Sequence, residues 1–125
     1  MEKAVILIAD DNPTNLKLAG DILEFEGYPV LRAQNATEVR KIIAEKQPAL
    51  ILMDIQMPGM DGLTLTRLIK GDPANAGIRI AAMTAFAMKG DEEKAVAAGC
   101  DGYITKPIDT RLFPGQVAQL LGAGE

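Results

Sequence analysis

Histidine is absent from this sequence of 125 residues, and so is tryptophan. Without histidine the chain has no Ser-His-Asp or Cys-His nucleophilic site, no imidazole metal ligand and no phosphohistidine of its own. Cysteine occurs once, at Cys100, so an internal disulfide is excluded. We interpret Cys100 as a small apolar residue of the core.

Clustered positive charge and long apolar segments are also missing. The chain has 13 Lys and Arg against 17 Asp and Glu, a net charge of -4, which argues against a nucleic-acid-binding surface. The apolar run at residues 4–9 is far too short to span a bilayer, and residues 1–3 do not begin a secretory signal. We therefore expect a cytoplasmic protein without nucleic-acid or membrane partners.

The residues that are present predict one folded domain. Hydrophobic residues make up 48% of the chain, and 125 residues are enough for a sheet covered by two layers of helices. Apolar runs recur along the whole length without an internal repeat. We expect a single domain over residues 1–125.

One stretch, residues 50–62, places a carboxylate where a strand ends. Its first four residues are apolar without alternation, which is typical of a strand buried on both faces of a parallel sheet. Asp54 follows at the carboxyl edge of that strand, where open α/β folds build their sites. Pro58 then fixes φ, and Gly59 and Gly62 accept positive φ, so a shaped loop presents Asp54.

Hydrophobic periodicity and turn residues predict five strands alternating with five helices. The strands cover residues 4–9, 28–31, 50–53, 78–83 and 102–105. The helices cover residues 13–26, 36–47, 63–70, 85–98 and a last segment from Asp109. Because Pro114 and Gly115 disfavour a regular helix, the last helix is expected to begin at Asp109 or later.

Caps and faces of the helices follow from the same patterns. Asn12 and Asn35 are predicted N-caps, and Gly90 is expected to make the fourth helix irregular. Residues at helical spacing are predicted to face the core; in the first and third helices these are Leu16, Ala19, Ile22, Leu23, Leu65, Leu68 and Ile69. We interpret Leu18 and Phe25 as the margin of this face, with a docking surface as the alternative.

This (βα)5 pattern predicts an α/β fold, a doubly wound, flavodoxin-like sandwich with a parallel sheet. The strand order 2-1-3-4-5 fits five strands and sends the strand that contains Pro29 to an edge, where a missing N–H is tolerated. It also makes the first and third strands neighbours. The acids that follow those two strands, at Asp10, Asp11 and Asp54, are therefore expected to converge.

Thr84 and Lys106 follow the fourth and fifth strands and complete the predicted site with Asp10, Asp11 and Asp54. Three neighbouring carboxylates repel one another unless a cation lies between them. Mg²⁺ suits such oxygen ligands because it needs few from the protein and retains waters. With its charge neutralised, Asp54 is a candidate carboxylate nucleophile toward a phosphoryl group.

The chain resembles response regulator receiver domains over its whole length. The matching residues are Asp10-Asp11, Asp54 within residues 53–62, Thr84 within residues 83–85, and Lys106-Pro107 after Tyr103. Residues 84–93 also resemble single-domain receivers of the DivK type and the receivers of hybrid histidine kinases. The resemblance makes Asp54 the expected phosphoacceptor.

The resemblance also implies roles for the neighbours of Asp54. The side chains of Asp11 and Asp54 and the carbonyl of Gln56 are expected to bind Mg²⁺, with Mn²⁺ as a substitute and Asp10 acting through water. Thr84 and Lys106 are expected to contact the phosphoryl oxygens. The Lys106-Pro107 peptide bond is expected to be cis, as X-Pro bonds allow.

The resemblance also implies a conformational switch and a controlled lifetime of the phosphorylated state. Movement of Thr84 toward the phosphoryl group is expected to open space for the ring of Tyr103 on the face formed by helix 4, strand 5 and helix 5, where a downstream protein would bind. Gln56 and Phe86 are expected to tune dephosphorylation, and a bulky Phe86 to slow it. Since the chain lacks histidine, the donor is expected to be a histidine kinase or a histidine phosphotransfer protein.

Other functions on this fold remain as alternatives. An aspartyl phosphatase usually carries its nucleophile on the first strand in an Asp-x-Asp arrangement, whereas Asp10 and Asp11 are adjacent, and there is no large cap insertion. A dinucleotide binder would need a glycine-rich loop after the first strand, which is missing here. A scaffold that is never phosphorylated also fits. We expect a signalling domain that catalyses only its own phosphorylation and dephosphorylation, and no other enzymatic reaction.

Overall fold

The computed structural model describes residues 4–84 and 89–122 and contains five strands alternating with five helices. The strands are β1 Ile6–Ala9, β2 Val30–Ala33, β3 Leu50–Asp54, β4 Arg79–Thr84 and β5 Gly102–Thr105. The helices are α1 Pro13–Phe25, α2 Ala36–Glu45, α3 Gly62–Gly71, α4 Lys89–Ala98 and α5 Phe113–Leu120. All strand pairs are parallel, in the order β2-β1-β3-β4-β5. The predicted flavodoxin-like sandwich is confirmed.

Two apolar layers cover the two faces of the sheet. Every residue of β1 and of β3 is buried, as expected for parallel strands enclosed on both sides. One layer joins alternate strand residues such as Leu7 and Ile51 to α2 and α3. The other joins Ile8 and Leu52 to α1 and α5, with Phe113 fully buried between them. The alternation of side chains along the strands divides the core in this way.

Strand register aligns the polar residues at one edge of the sheet. Ala9 pairs with Met53, so the next residues, Asp10 and Asp54, end neighbouring strands side by side. Asp54 in turn pairs with Met83, which precedes Thr84. The predicted convergence therefore follows from the order and register of the strands.

The second strand begins later than expected. It was predicted at residues 28–31, but β2 covers Val30–Ala33 and pairs with β1 from Ile6 onwards. Pro29 has no N–H to donate to a ladder, and it contributes only its carbonyl, which accepts the Ile6 N–H at 3.0 Å. The proline thus precedes the strand, and β2 lies at the edge of the sheet as predicted.

Two helices begin with the caps that the sequence predicts. The Asn12 side chain caps α1, and the Asn35 side chain caps α2. The last helix begins at Phe113, after a turn in which Asp109 accepts hydrogen bonds from the backbone of Arg111 and Leu112. Gly90 is the second residue of α4, which begins at Lys89, and the earlier part of the predicted fourth helix, residues 85–88, lies outside the described residues.

Three apolar side chains are more exposed than their helical spacing predicted. Leu68 is exposed on α3, and Ile22 is only partly buried on α1. Phe25, interpreted as core margin, is 88% exposed because it lies in the last turn of α1, beyond the sheet-facing stripe. None of the helices in the described ranges combines the length and apolarity needed to cross a bilayer. Cys100 is a half-buried free thiol beside Thr66.

Candidate functional site at the carboxyl edge of the sheet

Three carboxylates meet where β1 and β3 end. Asp10, Asp11 and Asp54 each offer a carboxylate oxygen, and these atoms all lie within 4.8 Å of one another. Asp10 and Asp54 are buried, whereas Asp11 is exposed. We call these three residues together with Lys106 the acidic edge. The short β1–α1 connection and the end of β3 place two fixed carboxylates beside one that solvent can reach.

Lys106 neutralises part of this charge. Its Nζ lies 2.9 Å from Oδ2 of Asp10 and 3.1 Å from Oδ2 of Asp54, so one ammonium bridges both buried acids. The side chain of Lys106 is only 14% exposed. One positive charge still leaves three carboxylates under-neutralised, which is the condition for attracting a cation.

The surroundings shift the pKa values of the bridged groups. Burial is the main cause that raises the pKa of Asp54 to about 6, aided by the charge of Asp10 and opposed by hydrogen bonds from Gln56 and Lys106. Burial works to lower the pKa of Lys106, but the hydrogen bonds to Asp10 and Asp54 and the negative charges of those two acids together outweigh burial and raise the pKa above the ordinary value. Lys106 is therefore held in its charged form between the two acids.

Asp10 is held by donors on two sides. Its Oδ1 accepts the backbone N–H of Asn12 at 2.9 Å, while Oδ2 accepts from Lys106. Its own N–H donates to the carbonyl of Ala33 on β2 at 3.0 Å. The sequence pointed to Asn12 only as a helix cap, and the contact with Asp10 was missed. The distance of two residues between the acid and the cap was the available clue.

The β3–α3 loop holds Asp54 from the other side. The backbone N–H of Gln56 donates to Oδ1 of Asp54 at 3.0 Å. Gly59 has φ of 81°, as the sequence predicted for a residue in this loop. Asp61 caps α3 by accepting from both the N–H and the hydroxyl of Thr64, each at 2.9 Å. Hydrogen bonds therefore hold the loop at its start and at its end.

Gly62 is needed because α3 approaches the backbone of Asp54 closely, and its φ is not positive. This corrects the sequence-based interpretation. Its N–H donates to the carbonyl of Ile55 at 2.9 Å, which brings α3 back against β3. A Cβ at this position would overlap the backbone carbonyl of Asp54 and crowd the side chain of Met53. Sequence alone shows a glycine here but not the group that it approaches.

Thr84 and Lys106 lie at the ends of neighbouring strands β4 and β5. Thr84 pairs with Thr105, and its carbonyl accepts the N–H of Lys106 at 2.7 Å. Thr84 is buried, and the Lys106-Pro107 peptide bond is cis. Tyr103 is half-buried on β5 beside α5.

Phe86, the residue expected to slow dephosphorylation, lies outside the described residues.

The acidic edge fits a hard divalent cation. Its candidate ligands are carboxylate oxygens, and the exposed Asp11 gives access from solvent. The donor set lacks the sulfur and imidazole ligands that softer transition metals prefer. Mg²⁺ is among the ions that such oxygen ligands suit.

A family model for the response regulator receiver domain matches residues 6–117. The chain belongs to the response regulator receiver domain family. This receiver domain is 43% identical over 117 residues to the polar-differentiation response regulator DivK of Brucella anthropi, covering 94% of this chain and 95% of the relative. Family membership decides in favour of two-component signalling over the phosphatase and dinucleotide-binding alternatives.

Solved structures with the same fold include receivers of histidine kinases. The receiver domain of a signal transduction histidine kinase from Syntrophus aciditrophicus has a TM-score of 0.87 at 32% identity, covering 96% of this chain and 91% of that one. The receiver domain of a sensor histidine kinase from Pseudomonas aeruginosa PAO1, with a magnesium ion coordinated in its active site cleft, has a TM-score of 0.86 at 28% identity, covering 95% and 98%. The likeness extends over nearly all of the receiver domain.

Proposed function

We propose that this chain is a cytoplasmic receiver domain in which Asp54 accepts a phosphoryl group. The donor is a phosphohistidine on a histidine kinase or a histidine phosphotransfer protein, since the chain has no histidine. The observation that carries the proposal is the position of the Asp54 carboxylate, held between Lys106 and the Gln56 N–H beside two further acids. The chain acts as a signalling domain and not as an enzyme on other substrates.

In the transfer, a carboxylate oxygen of Asp54 forms a bond to phosphorus. The bond between phosphorus and the donor imidazole breaks, and its electron pair returns to the ring nitrogen. Lys106 stabilises charge on the phosphoryl oxygens, and the burial of Asp54 strengthens that interaction. The Gln56 N–H orients the carboxylate through Oδ1.

The side chains of Asp11 and Asp54 and the Gln56 carbonyl would hold Mg²⁺, with Asp10 acting through water and Mn²⁺ as a substitute. The ion supplies positive charge that offsets the repulsion between the carboxylates and the incoming phosphoryl group. The closeness of the three acids supports this assignment. So does the magnesium ion in the active site cleft of the Pseudomonas aeruginosa receiver.

Phosphorylation would change the face formed by α4, β5 and α5, where a downstream protein binds. Thr84 would turn its hydroxyl toward the phosphoryl oxygens, and Tyr103 would occupy the space that Thr84 leaves. The burial of Thr84 next to β5 supports this coupling. Within residues 89–98, α4 buries Ala95 and Ala98 and exposes Val96, so little apolar area resists its displacement. Gln56 and Phe86 would set the lifetime of the phosphoryl group on Asp54.

Intact mass after incubation with acetyl phosphate and Mg²⁺ tests the proposal. We expect wild type to gain one phosphoryl group, and Asp54→Asn to gain none. Asp72→Asn, which changes a carboxylate in the turn after α3, is the matched control and should behave as wild type. A wild type that gains no phosphoryl group would contradict the proposal and favour the unphosphorylated scaffold. Equal gain by Asp54→Asn would exclude Asp54 as the acceptor.

A further inference from the structure

We propose that Asn12 is a positioning residue, which fixes the carboxylate of Asp10 for cation binding at the acidic edge. The inference rests on the proposed function and assigns a role to a residue outside the expected ligand set. It is carried by a chain of contacts from the helix cap to the buried acid. Asn12 binds no ion itself in this assignment and acts only through Asp10.

The Asp10 carboxylate is hydrogen-bonded at both oxygens in the folded chain. One oxygen accepts the Asn12 N–H and the other accepts the Lys106 ammonium, each at 2.9 Å. The residue is 1% exposed. Because the two donors lie on opposite oxygens, they set the rotation of the carboxylate plane. A carboxylate oxygen has two lone pairs, so each oxygen can still accept a water of a hydrated cation.

The Asn12 N–H is itself locked in direction by the start of α1. The Asn12 Oδ1 accepts the N–H groups of Thr14 at 2.9 Å and Asn15 at 3.2 Å. Pro13 follows at the first helical position, and a residue before proline is restricted to extended backbone. Asn12 has φ -89° and ψ 113°, in that region. Side-chain cap and proline together aim one N–H at Asp10.

Loss of the cap should therefore loosen Asp10 without removing any group that touches the cation. The backbone N–H survives in Asn12→Ala, but its direction is no longer held by the two bonds to Oδ1. A carboxylate that rotates more freely among its neighbours binds a hydrated cation less well. Serine at this position keeps a neutral cap and should keep the effect small.

Calorimetric titration with Mg²⁺ and thermal unfolding in EDTA test the assignment together. Asn12→Ala should weaken Mg²⁺ binding about 10-fold, the lower end of the loss when an outer-shell partner is removed. Asn12→Ser should stay within about twofold of wild type. The matched control is Asn35→Ala, which removes the cap of α2, where Asn35 accepts the Glu38 N–H at 2.9 Å. It should lower the melting temperature about as much as Asn12→Ala does and leave Mg²⁺ affinity unchanged.

Each outcome of the titration decides the assignment. A selective loss in Asn12→Ala, with recovery in Asn12→Ser, supports it. Unchanged Mg²⁺ affinity in Asn12→Ala would overturn it, and so would an equal loss in Asn35→Ala, which would mean that any lost cap weakens the site through general destabilisation. A wild type that binds no Mg²⁺ would overturn the proposed cation site as well, which separates the two failures.

Discussion

Ion pairs in two regions of this receiver domain have similar lengths and different surroundings. At the acidic edge, Lys106 lies 2.9 Å from Asp10 and 3.1 Å from Asp54. On the surface of α1, Lys17 lies 2.6 Å from Asp21, and Arg32 of β2 lies 2.9 Å from Glu24. We call the second region, together with Gly20, the α1–β2 surface.

Exposure separates the two regions. The Lys106 and Asp54 side chains are 14% and 6% exposed, whereas those of Lys17 and Asp21 are 77% and 52% exposed. Water screens the exposed pairs, so they contribute little to stability. Removing one partner of a buried pair leaves an unpaired charge and costs far more. Distance alone therefore does not rank these interactions.

A glycine next to the acidic edge and a glycine of the α1–β2 surface differ in the same way. A Cβ at Gly62 would meet the rigid backbone carbonyl of Asp54. A Cβ at Gly20 would meet the guanidinium of Arg32, the far end of a flexible and partly exposed side chain. The first neighbour cannot move without disturbing the site, and the second can swing into solvent.

The largest effect should come from Lys106→Met, which keeps an unbranched stem and removes the shared ammonium. The buried acids Asp10 and Asp54 then face each other without a cationic partner, and we expect the free energy of unfolding to fall by about 3 kcal/mol at pH 7 in EDTA. Urea denaturation measures this. Lys17→Met is the matched control, with an expected loss below about 0.5 kcal/mol. Similar losses in both variants would contradict the claim that burial makes the ion pairs of the acidic edge the stronger ones.

Gly62→Ala should have the next largest effect. The added methyl group pushes against the Asp54 carbonyl, and overpacking of this kind costs about 2 kcal/mol. We expect the same variant to accept phosphoryl groups from acetyl phosphate more slowly, because the displaced carbonyl belongs to the acceptor residue. Urea denaturation and the rate of mass gain measure the two effects. Wild-type behaviour in both would show that the loop yields as easily as a surface side chain.

Asp61 is an intermediate case, because its side chain is exposed and yet accepts a hydrogen bond from the backbone N–H of Thr64. The N–H of Thr64 is the main cause that holds the pKa of Asp61 below its usual range. Because the folded pKa is depressed, the stabilisation is present above the unfolded pKa and is lost as pH falls through the folded one. Asp61→Ala should cost about 1 kcal/mol at pH 7.

The difference between Asp61→Ala and wild type should shrink below about pH 4, where the carboxyl of the unfolded chain becomes protonated. Thermal unfolding of both proteins from pH 7 to pH 3 follows this convergence. A difference that stays constant with pH would remove the role of the ionised carboxylate at the helix cap.

Gly20→Ala should have the smallest effect. Alanine gains about 1 kcal/mol of helix propensity over glycine, while displacement of Arg32 loses exposed ion pairs of comparable or smaller worth. We expect the free energy of unfolding to change by no more than about 0.5 kcal/mol. Urea denaturation beside Gly62→Ala is the check. A cost as large as that of Gly62→Ala would show that the Arg32 contact is rigid.

Much of the fold could be predicted from the sequence, because burial and strand ends leave local patterns. The apolar runs before Asp10 and Asp54 predicted neighbouring buried strands, and Pro29 predicted the edge position of the second. The start of β2 could not be predicted, because it depends on which carbonyl pairs with Ile6 across the sheet. Exposure of Phe25 likewise depends on how α1 packs in three dimensions, which residue spacing does not specify.

The candidate site could be predicted in its members but not in its contacts. The sequence shows adjacent acids and a lysine at the end of a predicted strand, and the structure brings Asp10, Asp54 and Lys106 together. The closeness of Gly62 to a carbonyl and the direction of the Asn12 N–H are properties of folded backbone. Sequence patterns record residue type and spacing, and these two contacts depend on three-dimensional approach.

The most direct test is to locate the phosphoryl group. Borohydride converts phosphoaspartate to homoserine, so reduction after treatment with acetyl phosphate marks the acceptor for peptide mass spectrometry. Homoserine at position 54 when Mg²⁺ is present, and at no position in EDTA, is the predicted result. Homoserine at another aspartate, or at position 54 in equal yield without a divalent cation, would contradict the claim that the acidic edge is a cation-dependent phosphoacceptor site.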